Sequence, residues 1–300
     1  MTTDTISIAA PEERRDEHAV TLTKRAVHFA RHNVLFVFGA VLLVLIVSGA
    51  IFAPLIAPYD PTAIDFLEKL KGPSLSHLMG TNELGQDIFS QVLFGARTSL
   101  LVGVVVVTLA IAIGVPIGLF SGYFGGFLDT ALMRISDVFL AFPPLLLPIA
   151  ITAALGTGIF NAVIALAVSW FPWYARIVRG AVMRTNAELY VAAARAMGVG
   201  NLRIMLRHSL PNSLTPVIVQ GSLDFGYAIL AAASLSFIGI GAQPPTPEWG
   251  LMAALSRTHF IDNWWTVGFP GLAMFITVLA VNLVGDGIRD TLDPKQQSSH

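Results

Sequence analysis

The chain has 300 residues, of which 54% are hydrophobic and only 12% charged, with a formal net charge of −1 and no cysteine. Soluble globular chains carry about 25% charged residues, so this composition belongs in a lipid bilayer. The absence of cysteine excludes disulfides, thiolate chemistry and cysteine-ligated metal; the net charge itself is silent on nucleic acid, and none is expected as a partner.

Residues 1–33 are polar, mixed in charge and without a cleavable signal pattern, which makes them an N-terminal tail. Six apolar runs then predict an all-α integral membrane protein with six transmembrane helices. They lie at about Val34–Ile56, Leu100–Phe120, Ile135–Ala154, Ile159–Trp173, Leu214–Ile240 and Trp265–Val284. The fourth run is short and ends at "WFPWY". There Pro172 is expected to kink the helix, with Trp170 and Trp173 near a membrane interface.

Six spans put both termini on one side. With the N-terminus inside, 14 of the 18 basic residues face the cytoplasm and only Lys69, Lys71, Arg97 and Arg257 fall outside. That asymmetry predicts cytoplasmic termini. The expected layout is a cytoplasmic tail at 1–33, a first helix with its extracytoplasmic loop at 34–96, five further helices at 97–288, and a cytoplasmic tail at 289–300.

The loop between spans four and five, residues 185–212, is the least membrane-like part of the chain. "TNAE" gives Thr185 and Glu188 capping-box spacing, "LYVAAARAM" follows with good helix formers, and Gly198 is placed to end the helix in a left-handed conformation. "NLRIMLRHSL" predicts a second short helix, and Pro211 begins the next element. A helix–turn–helix with the small side chains Ala192, Ala193, Ala194 and Ala196 permits close approach of another protein, whereas headgroup-binding helices present bulky apolar residues.

Two outer loops complete the layout. Residues 57–98 are turn-rich and carry Asp60, Asp65, Glu68, Glu83 and Asp87, either as a solvated cap or as a docking surface. "QPPTPEWG" is stiffened by its prolines, with Trp249 expected as an interfacial anchor.

"AAARAMG", nine further positions and then "HSLP" resemble the signature loop of permease subunits of bacterial ATP-binding-cassette importers. "YVAAARAMG" with "RHSLPN" is similar to one branch, the dipeptide, oligopeptide and nickel permeases, and specifically to its second, C-type permease. "HLMGTNELGQDIFSQVLFGARTSLLVG", "LSFIGIGAQPPTPEWGLM" and "GDGIRDTLDPK" resemble the same branch in the same order, so the likeness spans about Val34 to Lys295. The chain departs from the pattern at Ala192, where the family has glutamate, at His208, where it has an aliphatic residue, and at Ala232, where the branch often has an acidic one.

The resemblance implies a type I importer permease fold in a bacterial inner membrane. It implies a second homologous permease subunit, two cytoplasmic ATPase subunits and an extracytoplasmic solute-binding protein as partners, besides the lipid bilayer. It assigns the ATPase-coupling loop to Glu188, Ala193, Ala194, Arg195, Gly198, Arg207, Leu210 and Pro211. It also implies that this chain is not an enzyme and binds no cofactor, ATP and Mg belonging to the partner ATPases.

The residues bear on this independently. A phosphate-cradling loop needs a lysine after glycine, and the four lysines, at 24, 69, 71 and 295, include none. Charges inside spans must face protein or water. Asp137, near Arg134, is expected to be structural, and Asp224 is a candidate for a translocation path. Two rival functions remain. An ion-driven secondary transporter would need broken helices in two corresponding halves, and no internal repeat is visible. An intramembrane aspartyl protease would pair Asp224 with Asp286, although Arg289 explains "GDGIRD" as a solvated helix end. His28 and His32 have helical spacing, but a metal site is not expected there.

Overall fold

In the computed structural model, residues 33–292 are described and are helical apart from their connections. The tails flanking them, with His28, His32 and Lys295, lie outside the described residues. Nine helices matter for the site: α1 (Val34–Ile51), α2 (Ile88–Phe124), α3 (Gly126–Leu140), α4 (Leu146–Leu155), α5 (Ile159–Asn186), α6 (Leu189–Ala196), α7 (Leu210–Ile238), α8 (Trp249–Leu255) and α9 (Trp265–Leu292). Five continuous helices among the described residues are long and apolar enough to cross a membrane, not six.

The missing crossing is the third. Its expected run, Ile135–Ala154, is divided between α3 and α4, with the break at Ala141–Leu145. Pro143 and Pro144 cause it: neither has an N–H to donate to the carbonyls of Phe139 and Leu140 one turn back. The fourth run errs the other way. Pro172 does not end it, and α5 continues to Asn186.

Span five starts earlier than expected. A turn at Asn201–Ile204 and a π-helical segment, Met205–Ser209, run directly into α7. The π segment accommodates Pro211, whose ring would clash with the carbonyl of Arg207 in an unbroken α-helix; the Leu210 N–H reaches back to Met205 instead.

α2 and α5 form the spine. At 37 residues α2 is roughly 55 Å long, well beyond a hydrocarbon core of about 30 Å. Gly114, Gly118 and Gly122 put three bare backbone positions on one face of it. A Cβ there would stand 2.6 Å from the Phe171 carbonyl oxygen, 2.3 Å from that of Ala175 and 2.7 Å from that of Arg179, all on α5. Helices in lipid gain little from hydrophobic burial and associate through such close backbone approach. α7 packs on both, closing a core of Val106, Leu166, Tyr174, Val178, Val217 and Leu235.

α1 lies against α9, and Arg97 of α2 donates to the backbone carbonyls of Ala50 and Ile51 at the end of α1. The outer loop is built rather than merely solvated. Buried Asp87 caps α2 by accepting from the Ser90 N–H at 2.8 Å and also bonds His77 at 3.0 Å. Trp265 Nε1 donates to the Thr81 carbonyl at 3.3 Å. Trp249 is no interfacial anchor. It is 1% exposed, sits against Gly95 of α2 and donates to the Val92 carbonyl at 3.0 Å, while buried Glu248 caps α8 by accepting from Gly250 and Leu251.

Candidate functional site

The basic loop forms a folded hairpin at one end of the spine. The capping box is absent: Thr185 lies within the last turn of α5, and Glu188 occupies the N-cap of α6 without a side-chain cap. The other end of α6 is sharply defined. Gly198 has φ +80°, its N–H donates to Arg195, and the Val199 N–H reaches back to Ala194. This pair of bonds is a Schellman stop, and Val199 supplies its apolar contact by packing on Val191, Ala194 and Ile204.

The alanines do not share one face. Ala194 is buried inside the hairpin, whereas Ala192, Ala193 and Ala196 are exposed. Arg195 turns back over the Tyr123 ring at 5.6 Å, tying α6 to the end of α2, and Tyr123 also donates to Asn201 at 3.0 Å. Leu210 is half-buried against the main core, and Arg207 and Pro211 are exposed. The Asn212 amide donates to Tyr190 at 3.0 Å and pins α6 to the start of α7. Beside the exposed Arg195, Arg203 and Arg207, the hairpin leaves three large apolar side chains outward: Leu189 at 87% exposure, Met197 at 77% and Leu202 at 64%.

Behind the hairpin an open vestibule of about 1040 Å³ is lined by Glu188, Arg184, Tyr190, Asn212, Gln220 and Arg289. A second cavity of about 410 Å³ shares Gln220 with it. Its walls come from Trp170 and Trp173 of α5, Tyr227 of α7, and Phe139, Phe142 and the two prolines at the α3–α4 break. Asp224 lies in it, midway along α7. One carboxylate oxygen accepts from the Tyr174 hydroxyl at 2.7 Å and the other from the Gln220 amide at 2.9 Å. The Trp170 and Tyr227 rings stack at 5.1 Å, so Trp170 is a buried wall residue, not an interfacial one.

The break and the carboxylate explain each other. Irregular backbone at membrane depth persists only inside protein or beside water, and the same holds for a charge. Here both border one cavity. Pro143 and Pro144 are the signal that could have shown the break, although Ile135–Ala154 reads as one apolar run; Tyr174, Gln220, Trp170 and Tyr227 gave no signal, because their approach to Asp224 depends on how α5 and α7 cross. Asp137 is placed differently, in a 2.6 Å ion pair with Arg176 rather than with Arg134. Asp286 is exposed and does not line the Asp224 cavity, so no aspartyl dyad is assembled there.

Residues 114–298 match the family described as "Binding-protein-dependent transport system inner membrane component", and residues 21–73 match the "N-terminal TM domain of oligopeptide transport permease C". Among curated proteins, the chain is 46% identical to a di/tripeptide transport system permease protein of Pseudomonas aeruginosa, covering 89% of this chain and 90% of the relative. It is 44% identical to a dipeptide transport system permease protein of Alkalihalophilus pseudofirmus, with 93% and 92% covered. It is 48% identical to a glutathione transport system permease protein of Shigella flexneri, with 86% and 85% covered. Among solved structures, an inward-facing MetNI methionine ABC transporter chain superimposes with a TM-score of 0.56 at 19% identity, covering 69% of this chain and 98% of that one, a likeness of fold. The chain belongs to the binding-protein-dependent transport system inner membrane component family, as a multi-pass permease.

Proposed function

We propose that the chain is the permease subunit through which an ATP-driven importer moves peptides or similar small solutes across a bacterial inner membrane. The observation that carries this reading is the hairpin of α6, with its Gly198 stop and outward apolar side chains, in a chain whose relatives are peptide and glutathione permeases. Large apolar side chains left exposed on a hairpin braced by internal bonds suit a protein partner better than solvent.

In this mechanism two cytoplasmic ATPase subunits receive the Glu188–Leu210 loop, which transmits their closure to α5 and α7. Both helices run into the membrane from the two ends of the hairpin, and both line the Asp224 cavity. ATP and Mg stay on the ATPases, and this chain binds no cofactor and breaks no bond in the solute. A second, homologous permease completes the pathway, and an extracytoplasmic binding protein delivers solute to the outer loops. The broken α3–α4 pair supplies the sixth crossing, which keeps both termini cytoplasmic, in accord with the basic-residue count.

The test is reconstitution. The chain, its companion permease and the ATPases in proteoliposomes should accumulate a labelled dipeptide only when ATP and the binding protein are both supplied. Uptake by this chain alone, driven by a proton or sodium gradient, would assign it to the secondary carriers instead.

A further inference from the structure

We infer that the Asp224 cavity is a transient binding site for a primary ammonium group, the cation at the N-terminus of a peptide, on the path through the permease. The inference rests on the reading of the chain as a solute permease and adds the chemistry that the path selects.

Three independent features of the cavity favour a cation. The first is the Asp224 carboxylate, held by the Tyr174 hydroxyl and the Gln220 amide, which fix its orientation and leave further lone pairs on both oxygens. The second is the aromatic wall. Trp170, Trp173, Tyr227, Phe139 and Phe142 border one space, and ring faces attract ammonium groups, most strongly where water is scarce. The third is the C-terminal end of α3, where Pro144 cannot donate to the Leu140 carbonyl and the Phe139 carbonyl takes only a long 3.4 Å bond from the Phe142 N–H. Such half-helix carbonyl ends carry partial negative charge and serve cations in membrane proteins.

The opposite sign is missing from the lining. Among the described residues no lysine, arginine or histidine borders this cavity, whereas the neighbouring vestibule has Arg184 and Arg289 beside Glu188. Gln220 sits on both walls, so a bound ammonium lies beside an exit that is basic on its far side. The volume of about 410 Å³ is within the range of small-molecule sites, enough for a terminal residue and its peptide bond. The arrangement holds the leading amine by charge and rings, and leaves side-chain identity unread.

The test uses the assembled transporter in nanodiscs without its binding protein, with tryptophan fluorescence as readout. Alanyl-alanine amide, a cation, should bind saturably. N-acetyl-alanyl-alanine amide, its neutral counterpart, should bind at least tenfold more weakly. Asp224→Asn keeps the shape and should remove that difference, whereas Asp224→Glu should retain most of it. Should Asp224→Asn fail to assemble, Trp173→Leu decides instead, since Trp173 is 56% exposed and its loss should weaken the cationic probe severalfold.

Equal binding of the two probes, or an affinity unchanged within twofold in Asp224→Asn, overturns the inference. N-acetyl-lysine amide and potassium chloride identify the source of the cation: either one competing as well as alanyl-alanine amide overturns the N-terminal assignment. ATP-driven uptake by the same wild-type preparation is measured in parallel. Uptake without ammonium discrimination defeats this inference alone, and absence of uptake defeats the permease reading on which it stands.

Discussion

Tyr174 of α5 donates its hydroxyl hydrogen to Asp224 of α7 at 2.7 Å, joining two membrane-spanning helices by a hydrogen bond to a carboxylate. The tyrosine is fully buried, while Asp224 is half-buried and borders the cavity. Tyr174→Phe removes the donor and little else. The expected cost is about 1–3 kcal/mol, that of a hydrogen bond to a charged, half-buried acceptor. Thermal unfolding of the detergent-solubilised complex should show a lowered midpoint; an unchanged midpoint means that water or Gln220 already satisfies the carboxylate.

The glycine face of α2 gives a sharper contrast. Gly118→Ala would place a methyl 2.3 Å from the Ala175 carbonyl oxygen, which is backbone and cannot step aside. A loss of roughly 1–3 kcal/mol follows from such overpacking, and Gly118→Leu should prevent accumulation of folded protein. Gly180, near the C-terminal end of α5, has open space where its Cβ would be. Gly180→Ala should therefore be neutral or stabilise by about 0.5–1 kcal/mol through helix propensity alone. Limited proteolysis of the three variants in membranes ranks them, and equal resistance would remove the close packing argument.

Gly198 separates the local fold from transmission. Its positive φ makes Gly198→Ala cost on the order of 1 kcal/mol, with uptake largely kept. A Cβ there meets nothing within the chain, so Gly198→Trp projects outward. It should leave the protein inserted while uncoupling ATP hydrolysis from peptide uptake in proteoliposomes. Wild-type transport by that variant would count heavily against the loop as a docking surface.

Trp249 tests the outer half. Trp249→Ala empties a fully buried site against Gly95 and abandons the bond to the Val92 carbonyl. A destabilisation of about 3–5 kcal/mol is expected. Trp249→Phe keeps most of the volume and should cost clearly less, with uptake preserved. Equal effects of the two would place Trp249 in contact with a partner rather than in the core.

The purified chain alone should hydrolyse no ATP, since no lysine follows a glycine-rich turn anywhere in it. Phosphate release that survives removal of every ATPase subunit would contradict the division of labour proposed for the complex.

Much of this protein was legible in the order of its residues. The apolar runs marked helices α1, α2, α5, α7 and α9, because about 20 apolar residues in lipid leave the backbone no alternative to a helix. The left-handed stop at Gly198 was legible for a local reason, since the conformation depends on a few consecutive residues. The capping box at Thr185 and Glu188 was not realised, because α5 continues past Trp173 to Asn186 and absorbs Thr185 into its last turn. Trp249 and Trp170 were read as interfacial, the usual place for tryptophan; their burial depends on Gly95 and Tyr227, more than 50 positions away.

By itself, then, the sequence determined the class, the helices, the exposed hairpin and the family resemblance, all properties of composition or of short spacing. Only the tertiary structure decided that Phe142, Trp170, Asp224 and Tyr227 share one cavity, and that Pro143 and Pro144 open the backbone beside it. The physical reason is the crossing of α5 and α7. Which face a residue presents is periodic in sequence, but which face of another helix it meets is set by packing, here by the glycines that let α2 and α5 touch.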